Sequence, residues 1–376
     1  MRIGIIRKRW TPFGGAEVFL KRFISGLIKK GHLPIVFSSD WPEEKGIEVK
    51  HVRAPGPCFL KPLFFAINAK KAVEASDVDV VISLERTNSQ DIYRAGDGCH
   101  KEWLIKRKRI AGPIKRLLIS INPLHRVLLY LEKKCLSSQR LKAVAANSKM
   151  VKDEIQRHYG LPDDKFCVIY NGINQDELAS LNQKEERQRQ RKSLSIPDAA
   201  LVLLFVGSGF ERKGLIYLIR SLPLIKENSI RLVVIGKGNQ KKYISEAERL
   251  GVGARVVFLG PVKDAYRYYP AGDIFVLPSI YEPFSNACLE AMASGLPVVT
   301  SRANGASEVI TEALNGAIVQ DPADPAEIAA KITLFLDVEK RKKAGKLARD
   351  AVGKLTIEKN VNEFLRLIED EKIHKH

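Results

Sequence analysis

The feature that most limits the fold of this chain is a repeated alternation of short aliphatic runs with amphipathic helical segments such as residues 15–30. Each run ends at a polar residue or a glycine, which is typical of buried strands. A first series comprises MRIGIIR, LPIVFSS, VDVVISLE, KAVAANS and FCVIYNG, and a second comprises ALVLLFVGSG, IRLVVIG, ARVVFLG, DIFVLPS, LPVVTS and GAIV. Strands that alternate with helices indicate parallel sheets covered by helices. We therefore predict two α/β domains in tandem, with a cleft between them.

The domain boundaries follow from where each series ends. The first domain is predicted over residues 1–175 and the second over residues 198–355. Residues 176–197 are polar and charge-dense without a clear apolar face, which predicts a linker that includes a solvated helix. Residues 356–376 carry apolar side chains near helical spacing and are predicted to form a closing helix. These side chains are Ile357, Val361, Phe364, Leu365 and Ile368.

Composition is that of a soluble globular protein. The chain has 376 residues, 45% of them hydrophobic, which is enough to bury two cores. No run approaches the ~20 apolar residues of a spanning helix, and basic residues follow the short apolar start, the reverse of a signal peptide. We expect a cytoplasmic protein. The cysteines are scattered without a C-x-x-C pair, which disfavours a disulfide framework and a zinc site.

The net charge of +19 is concentrated in the first half of the chain. Residues 101–142 contain 12 basic side chains and only two acidic ones, Glu102 and Glu132. Such a surface fits an anionic partner, either a membrane or a nucleic acid. The basic run lacks the interleaved aromatic residues and the modules of nucleic-acid-binding proteins. A non-catalytic nucleic-acid-binding protein is therefore the weaker hypothesis, and we predict no nucleic-acid partner.

Two amphipathic helices are predicted within the basic run. Apolar residues recur at helical spacing, and Asn122 and Pro123 resemble the cap and first position of the second helix. One interpretation is that both apolar faces pack on the sheet. The other is shallow insertion into an anionic membrane surface, which Trp103 and Tyr130 favour because such residues prefer the headgroup boundary. We predict a peripheral membrane protein. The apolar residues of the first helix are Ile114, Leu117, Leu118 and Ile121.

Glycine-rich loops follow several strands, where backbone amides and helix starts can bind phosphate. Gly14 and Gly15 follow the first strand, and Gly207 and Gly209 follow the first strand of the second series. No loop has the G-x-x-x-x-G-K-[ST] pattern or the full dinucleotide spacing. P-loop enzymes and nicotinamide dehydrogenases are therefore disfavoured.

Two carboxylates stand in the otherwise apolar or small stretch YEPFSNACLEAMASGLPVV. Glu282 is predicted in a loop after a strand, and Glu290 about two turns into a helix that Asn286 caps. The amides of residues 284–287, which include Phe284 and Ser285, are then available to an anion at the positive end of this helix. A helix carboxylate can accept both hydroxyls of a ribose diol, and a loop carboxylate can bind sugar hydroxyls.

A second polar site is predicted at YRAGDGCHKEW, where Asp97 and His100 follow a strand. The alternative is a turn in which Asp97 caps backbone amides. The D-x-D motif of Asp77 and Asp79 leads directly into a strand and is interpreted as a helix-to-strand turn. We therefore predict no metal site.

These motifs resemble the retaining glycosyltransferases of family four, which have two Rossmann-like domains in the glycosyltransferase B fold. The resemblance covers essentially the whole chain: FGGAE near the start, NGIN at 171–174, GSGFERKG after the linker, and E-x7-E at Glu282 and Glu290. It implies an acceptor-binding first domain and a second domain that binds a nucleotide sugar. TPFGGAEVF and the context of Asp97 resemble the lipopolysaccharide glucosyltransferase I branch.

The resemblance also implies roles for the candidate residues. Glu290 would hold the ribose, Glu282 the donor sugar, and Arg212 with Lys213 the diphosphate. The loop of Gly14 and Gly15 would approach the donor phosphate, and Asp97 would lie near the acceptor. Other branches place a histidine in this region, so His100 remains a candidate beside Asp97.

The predicted reaction is transfer of a hexose, glucose from UDP-glucose, to a lipopolysaccharide core or related cell-surface glycan. Two fixed cations and a helix start would stabilise the leaving nucleoside diphosphate electrostatically, without a metal or other cofactor. The predicted partners are the nucleotide-sugar donor, a glycolipid acceptor and the anionic inner face of the membrane. A nucleotide-sugar 2-epimerase of the same architecture is the alternative enzyme; the Arg212–Lys213 pair and the basic stretch favour transfer.

Overall fold

The computed structural model describes residues 1–10, 15–42, 46–174, 178 and 180–370, with only the backbone for residues 15–18. The chain divides into two compact units. The first is Met1–Asn171 together with Ile357–His376, and the second is Gly172–Thr356. Within the described ranges, no helix is both long and apolar enough to cross a bilayer.

The first unit is built on parallel strands flanked by helices. Its strands are β1 (Arg2–Ile6), β2 (Leu33–Ser38), β3 (Glu48–His51), β4 (Val80–Ser83), β5 (Ile92–Ala95), β6 (Ala143–Ala146) and β7 (Phe166–Val168). Its helices are α1 (Gly15–Lys29), α2 (Lys61–Glu74), α3 (His100–Arg109), α4 (Pro113–Ile121), α5 (Pro123–Leu136) and α6 (Lys149–Tyr159). All strand pairs are parallel, in the order β3-β2-β1-β4-β5-β6-β7.

The second unit repeats this plan. Its helices are α7 (Gln183–Ser193), α8 (Leu215–Ser221), α9 (Gln240–Arg249), α10 (Asn286–Ala293), α11 (Pro325–Thr333) and α12 (Val338–Val352). Its strands are β8 (Val202–Val206), β9 (Arg231–Ile235), β10 (Val256–Gly260), β11 (Ile274–Leu277), β12 (Val298–Ser301) and β13 (Gly316–Val319). They pair in parallel in the order β10-β9-β8-β11-β12-β13. The predicted pair of parallel-sheet α/β domains is confirmed.

Strand order determines where each unit can bind a ligand. In the first sheet the order reverses between β1 and β4, and in the second between β8 and β11. At such a reversal the following segments leave on opposite faces of the sheet, so a crevice opens at the carboxyl ends of the strands. Residues that follow β8 and β11 are therefore well placed for binding.

The expectation of a solvated helix between the domains is corrected by the structure. Helix α7 belongs to the second unit and buries one polar face. Arg191 is 2% exposed, and it donates to Asp273 Oδ2 at 2.6 Å and to the carbonyl of Ala271 at 3.1 Å. The segment lacks an apolar face because its buried contacts are polar and ionic, as those of Arg191 with Asp273 and with the carbonyl of Ala271 show.

The C-terminal helix α13 (Ile357–Glu369) packs within the first unit. The ring of Phe364 lies 5.1 Å from that of Phe19 and 5.9 Å from that of Phe23 on α1. The five apolar residues predicted for its buried face are all buried.

Candidate active site

The turn after β8 brings Arg212 and Lys213 to the carboxyl end of the second sheet. Gly209 and Gly214 have φ of +78° and +73°, which favours glycine. A Cβ at Gly214 would overlap the carbonyl oxygen of Pro278, and one at Gly207 would overlap the Lys213 side chain. The glycines therefore let the lysine stem cross the turn and let the turn approach the end of β11.

Lys213 and Arg212 both contact the carboxylate of Glu282. The Nζ of Lys213 donates to Glu282 Oε2 at 2.6 Å, and a guanidinium nitrogen of Arg212 lies 3.1 Å from the same oxygen. Lys213 and Glu282 are buried. Burial raises the pKa of Glu282, but the two cations outweigh it and the net pKa is below the ordinary value of 4.5. Glu282 is therefore a carboxylate at neutral pH, in a cluster with net positive charge.

Asn304, which sequence reasoning missed, holds the loop that carries Glu282. The Glu282 amide donates to the carbonyl of Ala303 at 2.9 Å, and the Gly305 amide donates to the Glu282 carbonyl at 2.9 Å. Asn304 is fully buried and accepts from the amides of Ser285 and Ala306 at 3.2 and 3.1 Å. The Asn-Gly pair after the run LPVVTS is a turn signal that identifies this residue.

The start of α10 differs from the prediction by one residue. Ser285, not Asn286, is the N-cap, and its hydroxyl accepts from the Cys288 amide at 3.3 Å. Because Asn304 takes the Ser285 amide, the expectation that every amide of residues 284–287 is available to a ligand is wrong. Phe284 and Ser285 are buried at this helix start, and Asn286 is half-buried.

Glu290 is the fifth residue of α10, so it lies little more than one turn from the start instead of the predicted two. It is half-buried, with Leu289 and Ala291 buried beside it, so a solvated helix face is excluded. The hydroxyl of Tyr269 donates to Glu290 Oε2 at 2.7 Å. Burial and the neighbouring carboxylate raise the pKa of Tyr269 well above its usual value.

In the first unit, Asp97 and His100 have different surroundings. Asp97 is exposed in the turn after β5, where Gly98 has φ of +69°. His100 is the first residue of α3 and is buried, with its Nε2 3.2 Å from Nδ1 of His125. Burial, with Arg86 nearby, lowers the pKa of His100 to about 4. Asp97 is the better placed of the two to meet a ligand.

The remaining predicted residues are placed as follows. Gly14 lies outside the described residues, and Gly15 begins α1. Asp77 and Asp79 lie between α2 and β4, and Asp79 Oδ2 accepts from the Arg2 amide at 2.7 Å, so the predicted helix-to-strand turn is confirmed. In the NGIN segment, Asn171 Oδ1 accepts from Arg94 at 3.2 Å.

Helix α4 leaves four of its large apolar side chains in solvent. Its exposed side chains are Ile114 (76%), Leu117 (62%), Leu118 (57%) and Ile121 (57%), whereas Ile119 is buried. The interpretation that this face packs on the sheet is therefore wrong. The predicted cap is confirmed, because Asn122 Oδ1 accepts from the Leu124 amide at 2.9 Å and Pro123 begins α5.

Two parallel-sheet α/β units, with two glutamates at E-x7-E spacing beside an Arg-Lys pair, define the class of glycosyltransferases with the glycosyltransferase B fold. Family comparisons agree with this class. The model described as Glycosyltransferase Family 4 matches residues 13–177, and that described as Glycosyl transferases group 1 matches residues 186–351. The chain belongs to this glycosyltransferase family.

Individual relatives extend over most of the chain. An uncharacterized glycosyltransferase of Methanocaldococcus jannaschii is 31% identical over 356 residues, 88% of this chain and 87% of the relative. The lipopolysaccharide glucosyltransferase WaaG of Escherichia coli K12 is 25% identical over 321 residues, 84% of each chain.

Solved structures have the same fold. The crystal structure of WaaG, a glycosyltransferase involved in lipopolysaccharide biosynthesis, has a TM-score of 0.83 at 22% identity, covering 97% of this chain and 99% of its own. The structure of Anabaena HepE in complex with UDP-glucose has a TM-score of 0.75 at 20% identity, covering 98% of this chain and 99% of its own.

Proposed function

We propose that this glycosyltransferase transfers glucose from UDP-glucose to a lipopolysaccharide core or related cell-surface glycan, with retention of anomeric configuration. The observation that carries the proposal is the contact of Arg212 and Lys213 with the ionised Glu282 at the carboxyl end of the second sheet. A relative named as a lipopolysaccharide glucosyltransferase and a structural neighbour in complex with UDP-glucose support this donor and acceptor class.

The donor would bind along the residues that follow β8 and β11. Arg212 and Lys213 supply fixed positive charge for the diphosphate, and their ammonium and guanidinium groups are already oriented by Glu282. Glu282, kept ionised by them, accepts hydrogen bonds from sugar hydroxyls. Glu290 accepts hydrogen bonds from both hydroxyls of the ribose diol. The hydrogen bond from Tyr269 fixes the orientation of the Glu290 carboxylate.

Departure of the nucleoside diphosphate moves negative charge onto its phosphate oxygens. Preorganised cations stabilise that charge more in the transition state than in the ground state, because they need not reorient as it develops. In a front-face reaction the leaving phosphate takes the acceptor proton. We assign Asp97 to orient the acceptor hydroxyl, and His100, buried and neutral above its lowered pKa, to support that loop. No metal has a role in this scheme.

A glycolipid acceptor gives the exposed face of α4 a purpose. Four large apolar side chains in solvent on a nine-residue helix are unusual for a monomer. Exposed basic residues flank them, among them Lys115 on α4 and Arg126 on α5. Apolar insertion combined with positive charge is the pattern of helices that lie in an anionic membrane surface. We therefore propose peripheral attachment to the inner face of the membrane.

The function is tested by incubating the protein with UDP-glucose and lipopolysaccharide core oligosaccharide and following both products by mass spectrometry. We expect a glucosylated acceptor with an α-anomeric linkage by NMR, since the donor is an α-glucoside, and release of UDP. A β-linkage would overturn retention. Conversion of the donor sugar without acceptor would instead identify a 2-epimerase, and binding of DNA at physiological salt without turnover would identify a nucleic-acid-binding protein.

A further inference from the structure

An ion pair lies inside the first unit, beside the turn that carries Asp97. The Nε of Arg86 donates to Glu132 Oε1 at 3.1 Å, and the two side chains are 11% and 2% exposed. Such a pair contributes little net stability, because desolvation of both charges offsets their attraction. Its contacts with the surrounding backbone are therefore the better guide to its role.

Arg86 and Glu132 hold the chain on both sides of Cys99. Arg86 also donates from its terminal nitrogen Nη2 to the carbonyl of Gly98 at 2.9 Å. The carboxylate of Glu132 accepts from the amide of His100 at 2.6 Å and from that of Lys101 at 3.0 Å. The segment that follows Asp97 is thus fixed at a carbonyl and at two amides.

The source of these contacts distinguishes a clamp from ordinary helix capping. The N-cap of α3 is Cys99, which provides no side-chain cap. A local Ser or Asn at the N-cap would satisfy an amide of the first turn without burying a charge. Here the carboxylate comes from α5, more than 30 residues away, and the guanidinium from the segment after β4. The arrangement ties two distant elements, α5 and the segment after β4, to one turn.

We propose that Arg86 and Glu132 are positioning residues that fix the turn of Asp97 for acceptor binding. The inference rests on the proposed function, in which Asp97 orients the acceptor hydroxyl. Neither residue touches the acceptor; both act through the backbone of residues 98–101. A displacement of about 1 Å in a group that orients a reactant can cost about 10²-fold in rate.

The first test compares Glu132→Gln with Tyr159→Phe. The glutamine side chain keeps the shape of the glutamate but has only one acceptor oxygen. In the parent, the amides of His100 and Lys101 donate to two different carboxylate oxygens. Tyr159→Phe is the matched control, because it removes only a hydroxyl that donates to Glu132 Oε2 at 2.6 Å from α6 and keeps the ring that Lys101 Nζ overlies at 5.9 Å. We expect Glu132→Gln to lower kcat for transfer about 10²-fold with an unchanged Kd for UDP. Tyr159→Phe should lower Tm while keeping kcat within twofold of the parent.

A double variant separates positioning from general destabilisation. If Glu132 acts through Asp97, then Asp97→Asn with Glu132→Gln is no slower than Asp97→Asn alone, because the positioned group is already lost. Multiplying effects would overturn the inference, as would a full rate for Glu132→Gln. If Asp97→Asn keeps full activity, the acceptor role of Asp97 fails as well.

Amide hydrogen exchange gives a readout that does not depend on activity. In Glu132→Gln, exchange at His100 and Lys101 should accelerate at least tenfold while β4 and β5 keep their protection. Arg86→Lys keeps the charge but replaces the two donor nitrogens Nε and Nη2 with one ammonium nitrogen, so it should loosen the same turn if the first variant fails to fold. Unchanged exchange at these amides overturns the clamp, whereas absence of transfer by the parent protein overturns the proposed function.

Discussion

Tyr269, which is fully buried, donates a hydrogen bond from its hydroxyl to the half-buried carboxylate of Glu290 at 2.7 Å. The two residues come from different elements, the 3-10 helix Ala265–Ala271 and α10. A carboxylate held in this way loses little side-chain freedom when a ligand binds, so its hydrogen bonds to a diol are formed at low entropic cost.

The contact between Tyr269 and Glu290 predicts that substitutions of the two residues weaken UDP binding to different extents. Glu290→Ala removes the acceptor of both ribose hydroxyls and should weaken UDP binding about tenfold or more, since hydrogen bonds to a charged group contribute about 1.5–3 kcal/mol. Tyr269→Phe leaves the carboxylate in place and should weaken it by less. Isothermal titration with UDP measures both. Equal affinity for Glu290→Ala and the parent would remove Glu290 from the nucleotide site.

A second prediction concerns Lys213 and catalysis. Lys213→Met keeps much of the stem that crosses Gly207 but removes the ammonium group 2.6 Å from Glu282. We expect kcat to fall about 10²-fold or more, the order seen when one preorganised charge-stabilising group is lost. UDP-glucose binding should fall less, because the charge it stabilises develops during the reaction. A near-parental kcat would exclude Lys213 from transition-state stabilisation.

The same substitution should change the pH dependence of stability. The folded-state pKa of Glu282 is lowered from the ordinary value of 4.5. The ion pairs of Glu282 therefore stabilise the fold fully above the ordinary pKa, and this stabilisation is lost as the pH falls through the folded-state pKa. In Lys213→Met, only Arg212 remains to oppose the effect of burial on the Glu282 carboxyl. The pKa of Glu282 should therefore rise. We expect a loss of about 2 kcal/mol at pH 7 that shrinks toward pH 4 in urea denaturation. A pH-independent loss would show that packing, not charge, links the two residues.

Glu282→Ala provides the complementary measurement. Its expected effect is lower turnover through a misoriented sugar, with UDP affinity close to that of the parent. Since Glu282 also neutralises part of the Arg212 and Lys213 charge, Glu282→Gln is the closer control for shape. If both variants bind UDP normally and turn over at the parental rate, the donor-sugar role is wrong.

Regular patterns in the sequence predicted what depends on local periodicity. The alternation of apolar runs identified both parallel sheets, and the Asn122–Pro123 pair located the start of α5. The prediction for α10 missed by one residue because Ser285 and Asn286 are both good N-caps, and only the fold decides between them.

Contacts between distant segments could not be predicted in this way. Glu132 was counted only as an acid within a basic run, yet it binds the start of α3. The buried side of α7 escaped detection because Arg191 reaches Asp273 by an ionic contact, and hydrophobic periodicity does not register such a face. Tyr269 gave no signal at all, since nothing local relates it to Glu290.

Metal independence is a further prediction for the proposed reaction. Because Arg212 and Lys213 supply the positive charge, turnover in excess EDTA should equal turnover without EDTA. Added manganese or magnesium should not increase the rate. Charge from two side chains replaces that of a divalent ion in this scheme. Loss of activity on chelation, restored by manganese, would contradict it. A matched assay with Lys213→Met shows whether an added cation compensates for the missing ammonium.

The last prediction concerns the exposed face of α4. Leu117→Gln combined with Leu118→Gln should reduce binding to liposomes of anionic lipid at least about tenfold, since burying a leucine contributes about 1.5–3 kcal/mol. The matched control is Leu224→Gln with Leu314→Gln, two leucines of the second unit that are each 54% exposed. Sedimentation with liposomes measures both pairs. If the two pairs lose binding equally, α4 has no special role at the membrane.

The charge component needs a variant that leaves the fold intact. Lys106 is unsuitable, because it lies 3.0 Å from Glu154 and 3.6 Å from Glu102 and its reversal would break buried pairs. Lys115→Glu with Arg126→Glu changes exposed residues instead. Each basic residue near an anionic surface contributes about 1 kcal/mol, so this reversal should weaken binding more than tenfold at low salt and less at high salt. The same reversal at Lys340 and Lys346, exposed in the second unit, should have little effect. Binding that ignores lipid charge and salt would refute electrostatic attachment and leave the glycosyltransferase assignment intact.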